Sequence, residues 1–384
     1  MNRRSFIRTI GGSGLVLAAG GFTLTGCDQM PDSAIAPWNG PSAGIGDREW
    51  MLSYAMLAPN PHNMQPWLVD LSMDNEITLF VDPTRLLPET DPFGRQILIG
   101  QGTFLELLDI AAREKGYRAD ISVFPQGEPA AGTLDITAAP VAHIKLNKDT
   151  ALKPDPLFAQ ITSRRSNKEG YEETFLSQED LTALSSFTLN EGEQIGFAAT
   201  PETIIPLREF ARQAVLKEIE TPRTLLESIE RTRIGAEEIA KNPDGIDLNG
   251  PLFWWLKRLE LMSPEKAMTP GTLAYQGGVD YAMGWVEGTY NMGWLTTADN
   301  SRTAQVNIGR TYVRMNLMAT AQGVAMHPVS QVLQEYPEMQ EIQAAFLSHL
   351  QISGQETVQM FYRLGYRETV SPSPRRKLPD IVMG

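Results

Sequence analysis

The spacing of apolar and polar residues divides the chain into segments of different period. Over residues 47–57, Trp50, Met51, Tyr54 and Leu57 recur at helical spacing. Residues 68–71 and 77–81 predict two strands joined across Met73-Asp74-Asn75 as a hairpin. Gly100-Gln101-Gly102 then precedes a predicted helix over 103–115, with Thr103 and Glu106 at capping-box spacing and Gly116 placed to end it. Residues 141–146 alternate as a strand, with His143 a solvated or edge residue. A polar helix and a short strand near 194–199 come next. Residues 202–242 read as helical and charged, and 253–261 as an apolar helix covering another part of the fold. Residues 271–294 are rich in glycine and aromatics, with Gly277-Gly278 expected as a turn. A helix over 311–322, closed by Gly323, follows Ile308-Gly309-Arg310. It weakly echoes the run from Ile99-Gly100 to Gly116, with a one-residue slip, and the echo alone is even odds with chance.

Four stretches break these periods and carry chemistry. Ala58-Pro59-Asn60-Pro61-His62-Asn63-Met64-Gln65-Pro66-Trp67 cannot be a regular helix, because each proline lacks an N–H and restricts the residue before it. Its carboxamides each offer a donor beside an acceptor, which suits the edge of a flat heterocycle. Composition alone reads equally as a Pro-rich connection. Arg164-Arg165-Ser166-Asn167-Lys168 is either a solvated basic turn or an anion site, since a guanidinium fork meets phosphate oxygens two at a time. Ser373-Pro374-Arg375-Arg376-Lys377 reads as a frayed tail or a second cationic patch. His327-Pro328 reads as a capped loop histidine or a site residue. His349 lies in an amphipathic helix and reads as structural.

Composition narrows the field. The 384 residues carry a formal charge of −13, which argues against non-specific nucleic-acid binding. Gly100-Gln101-Gly102 lacks the third glycine of a dinucleotide fingerprint, position 105 being Leu105. No H-E-x-x-H or H-x-x-E-H pattern supports metal catalysis, and G-x-S-x-G is absent from the mature chain. Residues 1–27 read as an export address: Asn2-Arg3-Arg4-Ser5-Phe6-Ile7-Arg8 is similar to a twin-arginine signal. Leu24-Thr25-Gly26-Cys27 resembles a lipobox, which would acylate the sole cysteine; Ala34-Ile35-Ala36 offers an alternative cleavage site. Cleavage before Cys27 takes away Arg3, Arg4 and Arg8 and no acidic group, moving the charge from −13 to −16. The expected address is the periplasm or cell envelope, tethered to the membrane surface by one acylated cysteine. Residues 28–46, rich in Pro, Gly, Ser and Ala, read as a flexible linker.

The order A-P-x-x-x-N-x-Q-P-W closely resembles the flavin-contacting loop of the nitroreductase superfamily, and the His62 form looks like its Acg-type branch. Arg164 to Lys168 resembles the family's R-R-S-x-[RK] element, and Tyr362-Arg363-Leu364-Gly365 with the basic tail resembles its closing strand. Asn60 where serine is usual, and Lys168 where arginine often stands, depart from the pattern. The resemblance implies an α+β fold, a fused pseudo-dimer of two α/β/α halves with mostly antiparallel sheets: residues 47–150 and 151–384, with a helical lid inserted near 202–294. It implies FMN as cofactor, bound by His62, Asn63, Gln65, Arg164, Arg165, Ser166, Lys168, His327, Arg375 and Arg376, with no catalytic side chain and no metal. The partners implied are a small acceptor, such as a quinone or nitroaromatic, and a quinol or redox-protein donor; a flavin-sequestering protein and a cofactor-free structural lipoprotein are the rival readings.

Overall fold

The computed structural model describes residues 28–383; the twin-arginine motif and Cys27 lie outside them. In chain order the helices are α1 (Asp32–Ile35), α2 (Asp47–Ala55), α3 (Arg95–Glu114), α4 (Gln178–Leu184), α5 (Pro201–Glu220), α6 (Pro222–Glu230), α7 (Ala236–Lys241), α8 (Pro251–Arg258), α9 (Pro264–Met268), α10 (Leu273–Glu287), α11 (Arg302–Ala321) and α12 (Gln340–His349). The strands are β1 (Trp67–Asp70), β2 (Glu76–Val81), β3 (Tyr117–Val123), β4 (Ala142–Lys148), β5 (Gln194–Ala198), β6 (Thr232–Ile234), β7 (Ile246–Leu248), β8 (Asn291–Thr297), β9 (Val324–Pro328) and β10 (Thr357–Tyr366).

Two four-stranded antiparallel sheets organise the chain, in the orders β1-β2-β4-β3 and β5-β8-β10-β9. In chain order each sheet runs first, second, fourth, third, and each has a 20-residue helix, α3 or α11, between its second and third strands. The fold is therefore α+β with one topology used twice. The second copy carries residues 199–290 between β5 and β8, where the first has only a tight turn between β1 and β2.

The long helices α3 and α11 pack on each other at the junction of the halves. Glycine permits the close approach. A Cβ on Gly102 would overlap the carbonyl oxygen of Val306, and one on Gly309 would overlap that of Ile99. The two glycines also face one another, each built Cβ lying 3.1 Å from the other's Cα. Arginines at the starts of both helices cross the junction reciprocally. Arg95 donates to the Gln359 carbonyl at 2.9 Å, and Arg302 donates to the Thr133 carbonyl at 2.6 Å. Glu106, nearly buried on α3, accepts from Arg310 and Arg314 of α11 at 2.7 and 2.6 Å.

Several sequence expectations need correction. The helix expected from residue 103 starts at Arg95, so Gly100 to Gly102 lie inside it. Its N-cap is Gly94, and the first-turn N–H groups of Gln96 and Ile97 are met by the Asp91 carboxylate, not by a Thr103–Glu106 box. Thr103 lies mid-helix and bonds the Pro59 carbonyl at 2.7 Å. The helical reading of 202–242 breaks at Thr221-Pro222 and again at β6. Gly277-Gly278 lies within α10 instead of forming a turn, and β3 had no counterpart in the periodicity. The 28–46 segment, expected as a flexible linker, contains α1 and a docked aromatic, Trp38, only 6% exposed. Trp38 donates its indole N–H to the Ser373 carbonyl at 2.9 Å, which ties the segment to the tail.

Candidate functional site

Residues 57–67 form the first wall of the site, in a backbone that few sequences adopt. His62, Asn63 and Gln65 all have positive φ, at 46°, 53° and 52°. Each such residue costs on the order of 1 kcal/mol or more, so the loop persists only if its surroundings over-determine it. They do. The carbonyls of Leu57, Ala58, Pro59, Met64, Gln65 and Pro66 each accept from a side chain: Arg164, Arg375, Thr103, Arg85, Arg376 and Gln101, respectively. Asn60 caps the loop from within, its Oδ1 accepting from the Gln65 N–H at 2.7 Å.

The C-terminal tail closes over this wall. Val382 pairs beside Val69, and Arg375 and Arg376 are 2% and 7% exposed, so the tail belongs to the interior. Arg375 donates to Asn63 Oδ1 at 2.6 Å, and the Arg376 N–H donates to Gln65 Oε1 at 2.7 Å. Asn63 Nδ2 reaches the Pro374 carbonyl and Gln65 Nε2 the Pro243 carbonyl. The amides of Asn63 and Gln65 are thus engaged with the protein itself.

The structure brings the Arg164–Lys168 segment to the same place. Arg164 and Arg375 share the Leu57 carbonyl, at 2.9 and 3.2 Å. Arg164, Arg165 and Arg375 gather around Trp38, with guanidinium carbons 5.6, 4.5 and 4.8 Å from its ring centroid. Among the described residues none of the three is hydrogen-bonded to a carboxylate, and the Nε of each is buried without a partner. Arg165 donates only to the Thr162 and Arg164 carbonyls. Burial pushes the Arg164 guanidinium down to about 10 and lowers that of Arg375, with Arg164 and Arg165 adding to the latter. Ser166 lies in register with Met326 of β9, which places Lys168 near His327 on that strand.

Lys168 is the electrostatic centre. It is half-buried, and burial lowers its pKa while Asp247 pulls the other way. Burial, then Lys168, then Arg231 push His62 down to about 4; burial, then Arg363, then Lys168 push His327 well down too. Both imidazoles are therefore neutral at physiological pH. Arg363 donates from Nε to His327 Nδ1 at 3.0 Å. A guanidinium can only donate, so the His327 ring proton sits on Nε2. The acidic group felt by Lys168 and Arg375 is Asp247 of β7, whose pKa burial raises against the pull of both cations, while Glu169 acts on Arg363. His62, Lys168, Asp247 and His327 are each half-buried.

Asp247, Trp38, Arg231 and Arg363 were not among the site residues read from sequence. Asp247 belongs to the 199–290 insertion, which reaches the loop directly: the Gly245 N–H bonds the Asn63 carbonyl at 3.1 Å, and Asp244 pairs with Arg85 at 2.6 Å. A tryptophan within an otherwise small-residue spacer was the one signal for Trp38. Two cavities, of about 420 and 330 Å³, lie away from these residues, one against Arg48 and one against Arg314. Those arginines are already bonded to carbonyls or carboxylates, so the unpaired cations single out the interior cluster. Among the described residues no group of three His, Cys, Asp or Glu side chains could hold a metal ion.

No family model matches the chain. A Mycobacterium tuberculosis protein provisionally named an NAD(P)H nitroreductase is 24% identical over 339 residues, covering 86% of this chain and 90% of that protein. The likeness is to nitroreductases. A second M. tuberculosis nitroreductase by provisional name, acg, is 30% identical over 110 residues, 29% of this chain and 32% of that one. Among solved structures, a provisionally named nitroreductase from Anabaena variabilis aligns with 87% of this chain and 91% of its own, at 11% identity and a TM-score of 0.41. A Bacteroides fragilis nitroreductase solved with bound FMN covers 56% of this chain and 89% of its own, at 14% identity and a TM-score of 0.33.

Proposed function

We propose that the chain is an exported, FMN-dependent oxidoreductase of the nitroreductase kind, with one flavin held between the 57–67 loop, the Arg164–Lys168 segment, the tail and the insertion. The observation that carries this reading is the uncompensated positive charge. Arg164, Arg165, Arg231 and Arg375 each keep a buried Nε with no partner, and Asp247 is the carboxylate that acts on Lys168 and Arg375. Buried cations without anions are costly, and a phosphorylated ligand is the kind of group that relieves the cost. The nitroreductase names of the relatives support the choice of flavin.

When bound, FMN would supply hydride or electron transfer at its N5, to a small acceptor such as a quinone or nitroaromatic. The protein's own residues supply position and charge. Lys168, Arg165 and Arg375 would hold the phosphate and favour a negatively charged ligand. His327, locked by Arg363, presents a fixed Nε2–H donor. Asn63 and Gln65 act by fixing the loop, since their amides are bonded to the tail and the insertion. A quinol or redox protein is the donor that an exported location favours, although the M. tuberculosis relatives carry NAD(P)H in their names.

Full-length protein from an export-competent host is expected to be yellow and to release one FMN per chain on heating. Lys168→Met is expected to lose most of that flavin while keeping the wild-type circular dichroism spectrum. Colourless wild-type protein that cannot be reconstituted, or full FMN content in Lys168→Met, would overturn the assignment. The bonds from Pro243, Asp244 and Gly245 onto the loop favour a second reading, in which the insertion shuts the flavin away with little turnover. Dithionite-reduced protein that quinones and nitroaromatics fail to reoxidise would decide for it.

A further inference from the structure

Helix α8 is apolar with no interior to belong to. Leu252, Phe253, Trp254, Trp255 and Leu256 occupy five of its eight positions, yet none of its residues is buried. Trp255 and Leu259, four apart and so on one face, are 44% and 58% exposed. A monomer spends surface tryptophan in this way where something apolar is to cover it. The polar side chains are turned aside: Lys257 pairs with Glu238 at 2.6 Å, and the Arg258 guanidinium lies 5.2 Å from the Trp254 ring.

The occupant is indicated by where the described chain begins. Asp28 is pinned at the first turn of α8, its main-chain oxygen accepting from the Gly250 N–H at 2.8 Å. Its carboxylate accepts from the N–H groups of Gly250 and Ala236, at 3.2 and 2.5 Å. The next residue back is Cys27, the cysteine that the lipobox pattern marks for acylation. An acyl chain there would bring a bilayer to the foot of α8. No helix among the described residues is long and apolar enough to cross a membrane, so contact would be superficial.

We propose that the exposed face of α8, Trp255 with Leu259, docks on the phospholipid surface in which the Cys27 acyl chain is anchored. Tryptophan suits this depth, with an apolar ring and a polar N–H at the headgroup level. With a mature charge near −16 the chain gains nothing from anionic headgroups, so docking rests on apolar insertion and survives high salt. The inference does not depend on the flavin assignment.

The test uses the full acylated protein in vesicles of phosphatidylethanolamine and phosphatidylglycerol carrying brominated acyl chains. Bromine is expected to quench a share of the tryptophan fluorescence that is missing in Trp255→Phe. Equal quenching in both proteins overturns the proposal. Independently, adding Trp255→Ser and Leu259→Ser to Cys27→Ser is expected to weaken vesicle binding about tenfold at both low and high salt, from the apolar area withdrawn. Met73→Ser, at a 63% exposed position in the β1–β2 turn, is expected to change nothing. Unchanged binding in the triple variant overturns the proposal. So does sedimentation of a lipid-free dimer in which Trp255 is shielded, which would make the face a contact between copies of this chain. Circular dichroism of each variant separates loss of docking from loss of fold.

Discussion

Replacing Gly102 with alanine is the sharpest probe of the junction between the halves. In isolation the change favours a helix by about 1 kcal/mol, because alanine loses less backbone entropy than glycine. Here the added methyl would overlap the Val306 carbonyl oxygen and stand 3.1 Å from the Cα of Gly309. Both are backbone atoms, so no rotamer relieves the clash and α3 and α11 must part. Overpacking costs typically 1–3 kcal/mol, and a backbone collision belongs at or above the top of that range. The net expectation is a loss of about 2 kcal/mol or more, read by equilibrium urea denaturation of the full chain. Gly309→Ala should behave alike, and the double variant should lose less than the sum, because the first methyl has already opened the seam. Gly278→Ala is the control: it lies within α10 with open space around the built Cβ, and should be neutral or stabilised by about 0.5–1 kcal/mol. The site should register the change, since Gln101 and Thr103 on either side of Gly102 hold the Pro66 and Pro59 carbonyls. Lower flavin retention is expected to accompany the lost stability. A Gly102→Ala protein as stable as the wild type would falsify the close-packed junction.

Acid should destabilise the protein through His62. Its folded pKa, about 4, lies below the unfolded 6.5, so stability is lost as pH falls from 6.5 toward 4, by about 2 kcal/mol at pH 5. His62→Asn, an exchange that tolerates the positive φ, should flatten that limb in urea titrations at pH 7 and pH 5. Asp91 acts in the opposite sense. Burial raises it to about 6, so its cost to stability develops as pH rises from 3.8 through 6 and is relieved on acidification. An unchanged limb in His62→Asn would deny that its imidazole is held neutral. Asp244→Ala strips the carboxylate shared by Arg85 and Arg233, and faster hydrogen exchange over residues 231–250 with quicker flavin release is expected. Trp38→Ala should cost about 3–5 kcal/mol as a buried aromatic truncation. It should also free residues 28–40 to exchange; protection equal to wild type would show that the ring does not hold them.

Much of the architecture could be read from the chain because the signals were local. The β1–β2 hairpin, β5, α2 and the glycines that close α3 and α11 all obey neighbour rules. The start of α3 was lost because Gly100 and Gly102 look like breakers, while the reason for them is a carbonyl on a helix about 200 residues away. The same holds at the site. Arg164, Arg375 and Asn63 could be named from motif order, yet that Asn63 and Gln65 spend their amides on the tail and insertion depends on folding. Asp247 carried no signal, since one acidic residue in a charged stretch resembles any other until β7 carries it inward. Trp38 was hidden by its company: small residues and prolines around it suggested a tether, and only the arginines beneath show why it is there.

The grip of the tail on the strained loop sets an order of events. Asn63 and Gln65 are held by residues 312 and 311 positions further on, so the loop stays unclasped until that later segment has been made and has folded back. Replacing Arg375 and Arg376 with alanine should therefore leave both sheets intact and the loop without its clasp.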